Sequence, residues 1–104
     1  MARRRNQLPG RAAVTDTVAL FAALANPLRL RLLVALSRFG ELSAGELQRV
    51  VGAEQSAVSH QLAALRLRDL VKVERDGRRM MYSLADQHVA HIVEDAIAHV
   101  GEGA

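Results

Sequence analysis

Apolar residues follow two periods along this chain. Spacing of three and four residues is typical of helices that bury one face, and strict alternation is typical of β-strands. The helical spacing predicts five helices, over residues 15–25, 27–39, 44–51, 54–68 and 86–100. The alternation predicts two strands, over residues 70–75 and 78–84, with Asp76-Gly77 as a hairpin turn between them. The pattern therefore predicts a mainly α-helical chain with one β-hairpin.

Residues that favour helix ends support these boundaries. Asn26 is a favoured N-cap and Pro27 fits a first helical turn, so the second helix is expected to begin here. This helix has the densest apolar sequence and is expected to form the core. Ser43 and Glu46 have the S-x-x-E spacing of a capping box, which predicts the start of the third helix. Only a tight turn separates the third helix from the fourth, so the element order is that of a winged helix-turn-helix.

Two predicted helices have well-defined apolar faces. In the first helix, this face holds Val18, Phe21, Ala22 and Ala25. In the last helix, it holds Val89, Ile92, Val93, Ala96, Ile97 and Val100. The second of these faces is wide for the terminal helix of a small domain, so we expect it to form the interface of a homodimer.

The fourth predicted helix has the features of a helix that lies against DNA. Val58, Leu62 and Leu65 are spaced to form its buried face. The side chains on the opposite side are short, uncharged and rich in hydrogen-bonding groups, which suits the base edges of a major groove. We expect these groups to contact the bases: Gln55, Ser56, Ser59 and His60. Arg66 follows on the same helix and suits phosphate.

The positive charge of the chain is concentrated in two places. The net charge is +3, but the first fifteen residues contain four arginines and no acid. Residues 1–13 are therefore expected to be a disordered basic tail, either solvated or in contact with DNA, and residues 14–104 to form the domain. Arg75, Arg78 and Arg79 lie near the tip of the predicted hairpin and are expected to contact the DNA backbone; the alternative is a solvated tip.

Composition excludes several classes of function. The 104 residues suffice for one domain, and the absence of cysteine excludes disulfides, thiolate metal sites and cysteine nucleophiles. No apolar run approaches the roughly 18 residues of a membrane helix, and the arginine-rich start lacks the apolar stretch of a signal peptide. We therefore expect a cytoplasmic protein without a membrane partner.

The last helix contains three of the four histidines together with several acids. His88 and His99 share one edge of this helix but lie about 16 Å apart along its axis, so they cannot bind one ion within one chain. If two copies pack antiparallel about a two-fold axis, His88 of one copy meets His99 of the other. Asp86 and Glu102 could complete each site, and two imidazoles with two carboxylates suit Zn²⁺. The alternative is that these side chains are solvated, as is expected for His91.

Several segments together resemble the ArsR/SmtB family of bacterial metal-sensing repressors. They are LANPLRLRLL, ELSAGELQRVVGAEQSAVSHQLAALRLRDLV, DGRRMMYSL and D-x-H-x10-H-x2-E, and the similarity extends over residues 18–102. The resemblance implies a winged-helix homodimer that a metal ion releases from operator DNA. It also implies an intersubunit site whose ligand positions are held here by Asp86, His88, His99 and Glu102. The zinc-responsive branch of the family is the most similar.

The chain departs from other branches of this family at two places. Thiolate-based sensors have cysteines where Ser43, Ala44 and Gly45 stand here, so that kind of site is absent. Nickel and cobalt sensors recruit further ligands, often histidines near the termini, and this N-terminus has none.

We therefore expect a DNA-binding homodimer that responds to zinc. One alternative is a response to nickel or cobalt, and a second is a regulator whose last helix only dimerises. An enzyme is not expected, because four protein ligands would close the metal site and no nucleophile accompanies it.

Overall fold

The Asn26-Pro27 pair divides the N-terminal part of the fold into two helices. In the computed structural model, which describes residues 7–102, the side chain of Asn26 accepts a hydrogen bond from the backbone N–H of Arg29 at 2.9 Å. Pro27 occupies the first turn, where its missing N–H costs no helical hydrogen bond. The described helices are α1 (Arg11–Leu24), α2 (Pro27–Phe39), α3 (Ala44–Val51), α4 (Gln55–Leu67) and α5 (Gln87–Val100). The strands are β1 (Leu42–Ser43), β2 (Val71–Asp76) and β3 (Arg79–Leu84).

The first helix is longer than the sequence pattern predicts. Helix α1 begins at Arg11 instead of residue 15, so residues 11–13, which were expected to belong to the disordered tail, are helical. Residues 1–6 of that tail lie outside the described residues. The predicted capping box is confirmed: Ser43 accepts from the backbone N–H of Glu46, and the Glu46 carboxylate accepts from the backbone N–H of Ser43.

The hairpin belongs to a three-stranded antiparallel sheet in the order β1-β3-β2, and β1 was not predicted. Strand β1 pairs its Leu42 with Tyr82 and its Ser43 with Met81. The turn between β2 and β3 is also displaced by one residue, because Asp76 pairs with Arg79 and leaves residues 77 and 78 as the loop. Gly77 has a φ of 64°, and a glycine at the first loop position is what a type II′ turn requires.

Helix α2 supplies much of the hydrophobic core, as its sequence predicts. Leu32, Leu33, Ala35 and Leu36 are buried. Buried residues from α3, α4, α5 and β2 pack with them into one cluster, and Leu42 and Tyr82 of the sheet pack against its edge. Helices α4 and α5 are therefore both attached to the same core as α2.

Helix α1 buries a different face from the one expected. Ala23 is buried and Leu20 and Leu24 pack against the core, whereas Val18 is 61% exposed and Phe21 57% exposed. Helix α1 is bent by 93° from α2, so only its C-terminal end reaches the core. Among residues 7–102, no single helix is long and apolar enough to cross a membrane; α1 and α2 would reach that length only together, across this bend.

Candidate DNA-binding and metal-binding sites

The link between α3 and α4 is short and sharply bent. Helix α3 ends at Val51, and Gly52 follows in the left-handed conformation with a φ of 67°. Glycine adopts this conformation without steric cost, so the chain can reverse here and begin α4 at Gln55. Helices α3 and α4 form the predicted helix-turn-helix, and α4 is called the recognition helix below.

Helix α4 is attached to the core by the stripe that its sequence predicts. Val58, Leu62 and Leu65 are each at most 1% exposed. The residues expected to contact bases are all exposed on the remaining surface of the helix: Gln55, Ser56, Ser59 and His60. Arg66 is exposed in its last turn. The structure therefore brings this predicted set to one solvent-facing surface, free of competing contacts from the core.

The hairpin of β2 and β3, called the wing below, exposes the three arginines expected at its tip. Their surroundings differ. Arg79 forms an ion pair with Glu46 of the α3 capping box at 2.6 Å, whereas neither Arg75 nor Arg78 forms an ion pair within residues 7–102. The backbone hydrogen bond from Ser43 is the main cause of the lowered pKa of Glu46, and Arg79 lowers it further. The charge of Arg79 is therefore already partly neutralised before any DNA is bound.

Helix α5 buries part of its predicted dimer interface in the core of its own chain. Val89 and Val93 are buried in the core. Ile92 is half-buried, and Ala96 and Val100, four and eight residues further on, are exposed. The apolar strip left for a second subunit is thus narrower than the sequence indicates, because α5 also has to attach to α2.

The proposed metal ligands lie at opposite ends of α5. Asp86 is the N-cap and accepts from the backbone N–H of Val89 at 3.1 Å through Oδ1, and His88 is exposed in the first turn. His99 is exposed in the last turn, and Glu102 follows just beyond the C-cap. No group of three or more potential ligands lies close enough to hold a metal ion within the described residues of one chain. Asp86 and His88 therefore lie together at the start of α5, and His99 and Glu102 lie together at its end.

Glu102 has a partner that the sequence did not indicate. Arg38 of α2 binds Glu102 at 2.8 Å and Glu94 of α5 at 3.0 Å. Ser37 also donates a hydrogen bond to Glu94, at 2.9 Å. Arg38, followed by Ser37, lowers the pKa of Glu94. These contacts join residues more than fifty positions apart, so no local pattern could have predicted them.

The helix-turn-helix is the part of the chain that matches a known family. Residues 26–73 match the family described as "Bacterial regulatory protein, arsR family". This segment runs from the N-cap of α2 into β2, so it includes the recognition helix and stops before α5. The family match consequently supports the DNA-binding half of the molecule and does not include the candidate metal ligands.

Two curated relatives extend the similarity beyond that segment. The transcriptional regulator NmtR of Mycobacterium tuberculosis is 46% identical over 87 residues, which are 84% of this chain and 72% of the relative. The transcriptional repressor SmtB homolog of Synechocystis is 48% identical over 82 residues, which are 79% of this chain. The chain spans only 61% of the length of this second relative. Neither name specifies a metal.

A solved structure confirms the fold. It is the homodimeric winged helix-turn-helix DNA-binding domain of Mb0332 from Mycobacterium bovis, a possible ArsR-family regulator. It matches with a TM-score of 0.76 and 32% identity, over 90% of this chain and 87% of that one. The winged helix-turn-helix predicted from the sequence is therefore present. With this fold, the matched helix-turn-helix and 46% identity to NmtR, the chain belongs to the arsR family of bacterial regulatory proteins.

Proposed function

We propose that this protein is a transcriptional repressor that binds operator DNA as a metal-free homodimer and releases it when zinc binds between the subunits. The observation that carries the proposal is the placement of two polar surfaces on one core. One is the exposed front of α4 beside the basic wing, and the other consists of the paired imidazole and carboxylate groups at the two ends of α5.

The first surface has the chemistry of a sequence-specific DNA interface. Short polar side chains on α4 can reach base edges in the major groove, and we assign this role to Gln55, Ser56, Ser59 and His60. Backbone affinity comes from Arg66, Arg75 and Arg78, which do not form ion pairs within the described residues. Arg79 contributes a smaller share, because Glu46 already holds its guanidinium.

Exposed apolar residues support a homodimer. Val14, Val18 and Phe21 are spaced four and three residues apart, so they share one face of α1, and all three are exposed. At the other end of the chain, Val100 is 76% exposed and Ile92, two turns earlier in α5, is half-buried. A second copy would cover both faces, and two copies would present two recognition helices to successive major grooves.

The donor set at the ends of α5 fits zinc. Two neutral imidazoles and two carboxylates from a pair of antiparallel α5 helices provide four ligands. The candidates are Asp86 and His88 of one subunit with His99 and Glu102 of the other. All four side chains are exposed in the single chain, so none has to leave the core to reach a metal ion. A bound Zn²⁺ would supply coordinate bonds that cross the subunit interface.

Metal binding and DNA binding are then coupled through the arrangement of the two subunits. Ligation would favour one relative position of the α5 helices, and the recognition helices follow because α5 and α4 pack on the same core. Glu102 would have to share or leave its ion pair with Arg38, and Asp86 would ligate while it caps α5. The expected coupling is about 1–3 kcal/mol, and by linkage the operator weakens zinc binding by the same factor.

The decisive experiment is operator binding by the purified 104-residue chain at fixed salt. The probe is a duplex enriched by the metal-free protein from a random-sequence library, measured by fluorescence anisotropy. Zinc is expected to weaken binding by roughly 5- to 150-fold, whereas magnesium at equal concentration should not. If the dimer binds specifically and no metal changes its affinity, α5 serves only dimerisation.

Cobalt substitution separates zinc from the nickel and cobalt alternative. An intense visible spectrum of the Co²⁺ protein indicates a tetrahedral site and supports zinc, whereas a weak spectrum indicates octahedral coordination. The second result would move the assignment to nickel or cobalt and would require ligands beyond the four named here.

A further inference from the structure

Arg29 lies where three helices meet. Its backbone N–H is held by the Asn26 cap at the start of α2. Its side chain donates from Nε to Oε1 of Gln61 in α4 at 2.6 Å, and from Nη1 to the carbonyl of Ala23 in α1 at 3.4 Å. One half-buried guanidinium therefore contacts the end of α1 and the flank of the recognition helix, while its own backbone belongs to α2.

The contact with α1 follows from the proline that starts α2. A helical carbonyl normally accepts from the N–H four residues later, and for Ala23 that residue is Pro27, which has no N–H. The neighbouring carbonyls of Phe21, Ala22 and Leu24 receive backbone N–H groups of residues 25 and 26. Arg29 supplies the donor that the backbone cannot supply to Ala23.

Gln61 lies on α4 between the buried stripe and the exposed front. It is half-buried, whereas Ser59 and His60 immediately before it are exposed. Its amide oxygen is directed to Arg29 and not to the surface that we assign to DNA. Gln61 therefore anchors the flank of the recognition helix to the start of α2, a role that is separate from base contact.

We propose that Arg29 is a positioning residue that couples the orientation of α1 to that of the recognition helix. Helix α1 packs mainly on α2 and exposes Val14, Val18 and Phe21, so a second subunit that covers this face would fix its direction. Arg29 transmits that direction to α4 and thereby sets the separation of the two recognition helices. This inference rests on the proposed DNA-binding function and is independent of the identity of any inducer.

Arginine is the side chain suited to this role. Its planar guanidinium directs donors from different nitrogens toward acceptors on two helices, and it stays charged at every relevant pH. Lysine keeps the charge but offers a single ammonium group, which cannot reproduce the fixed fork between Gln61 and Ala23. Arg29→Lys therefore removes the bridge and retains a cation for any phosphate that is near.

The test compares Arg29→Lys, Gln61→Met and the double variant in the 104-residue chain. The probes are the duplex enriched by the wild-type protein from a random library and the same duplex with one base pair inserted between its half-sites. The wild-type protein is expected to prefer the original spacing. Each single variant should bind the original duplex about tenfold more weakly and lose most of that preference, and the double variant should be no worse than either single variant.

Three other outcomes would contradict the proposal. If Arg29 only contacts phosphate, Arg29→Lys keeps its affinity and Gln61→Met has no effect, which overturns the proposal. If Arg29 only stabilises the fold, thermal unfolding shifts while the spacing preference stays intact, which also overturns it. A wild-type protein without sequence preference would instead refute the proposed function itself, and this inference with it.

Discussion

Arg78 and Arg79 are neighbours at the tip of the wing, but the structure predicts different consequences for their loss. Arg78 has no ionic partner within residues 7–102, whereas Arg79 lies 2.6 Å from the carboxylate of Glu46. Replacing either residue by alanine removes one positive charge. Arg78→Ala removes a free cation that can neutralise a DNA phosphate, and Arg79→Ala removes one that Glu46 already neutralises in part.

The size of the difference follows from counterion release. Each phosphate neutralised by a protein cation contributes about 0.9 to the slope of log affinity against log salt. A dimer has two wings, so Arg78→Ala should flatten the slope by about 1.8 and Arg79→Ala by less than half of that. Between about 50 and 200 mM salt, a slope change of 1.8 corresponds to roughly a 12-fold change in affinity.

The assay is a salt titration of binding to random-sequence DNA, which isolates backbone contacts from base contacts. Glu46→Gln provides the matched control. A glutamine oxygen can still accept the backbone N–H of Ser43, so the cap of α3 is retained while the charge that holds Arg79 is lost. This variant should bind random DNA more tightly than the wild type and with a steeper salt dependence.

Two results would contradict this prediction. Equal flattening of the slope by Arg78→Ala and Arg79→Ala would show that Arg79 leaves Glu46 and binds phosphate as freely as its neighbour. An unchanged slope for Glu46→Gln would show that the ion pair does not limit the charge available to DNA.

Four further predictions concern base contact, dimerisation, the metal site and the stability of the fold. Ser59→Ala should cost about 1–3 kcal/mol on the selected operator and little on random DNA; equal losses on both would remove its assignment to base contact. Ile92→Asp should give monomers in analytical ultracentrifugation that no longer bind the operator, since one subunit cannot span two half-sites. His99→Ala should bind the operator as the wild type does when metal is absent, and zinc should not release it. If zinc releases His99→Ala but not the control His91→Ala, the metal site includes His91 instead. Arg38 and Ser37 lower the pKa of Glu94, so the wild type should be more stable than Glu94→Gln above the ordinary glutamate pKa. This difference in stability should be lost as pH falls through the lowered pKa of Glu94. Urea unfolding across this pH range measures that difference.

Elements whose determinants are local in sequence were predictable. The Asn26 cap, the Ser43 to Glu46 capping box and the stripe of α4 each depend on residues within a few positions of one another, and each forms as expected. Local rules place these features because the relevant contacts occur inside a single helix or at its end.

The features that the sequence did not predict share one physical cause. Distant contacts select among several local structures that the sequence allows. The first helix has apolar residues on two faces, and only its bend from α2 decides that Ala23 is buried while Phe21 is not. Strand β1 is two residues long and exists through its pairing with β3. The sequence Asp76-Gly77-Arg78 allows more than one two-residue loop, and the register of β2 with β3 selects the loop that starts at Gly77.

The candidate sites also combine features that local sequence predicts with contacts between distant elements that it does not. The exposed front of α4 was predictable because burial of Val58 and its stripe leaves the other side free. The pairing of Glu102 with Arg38 and of Arg79 with Glu46 was not, since these partners come from different elements. Such contacts decide how much of each charge remains for a ligand, which composition and spacing do not reveal.

The short strand β1 also determines how the wing can move. Its two residues pair with β3 and lead directly into α3, where Glu46 both caps the helix and holds Arg79 of the wing. Breaking the wing away from the domain would therefore break the β1 pairing and the ion pair between Glu46 and Arg79 in the same event, while the local cap between Ser43 and Glu46 stays formed. Hydrogen exchange with solvent in the part of β3 that pairs with β1 should report this joint opening. In this chain β1 and Glu46 thus attach the wing to the helix-turn-helix through both backbone and side-chain contacts.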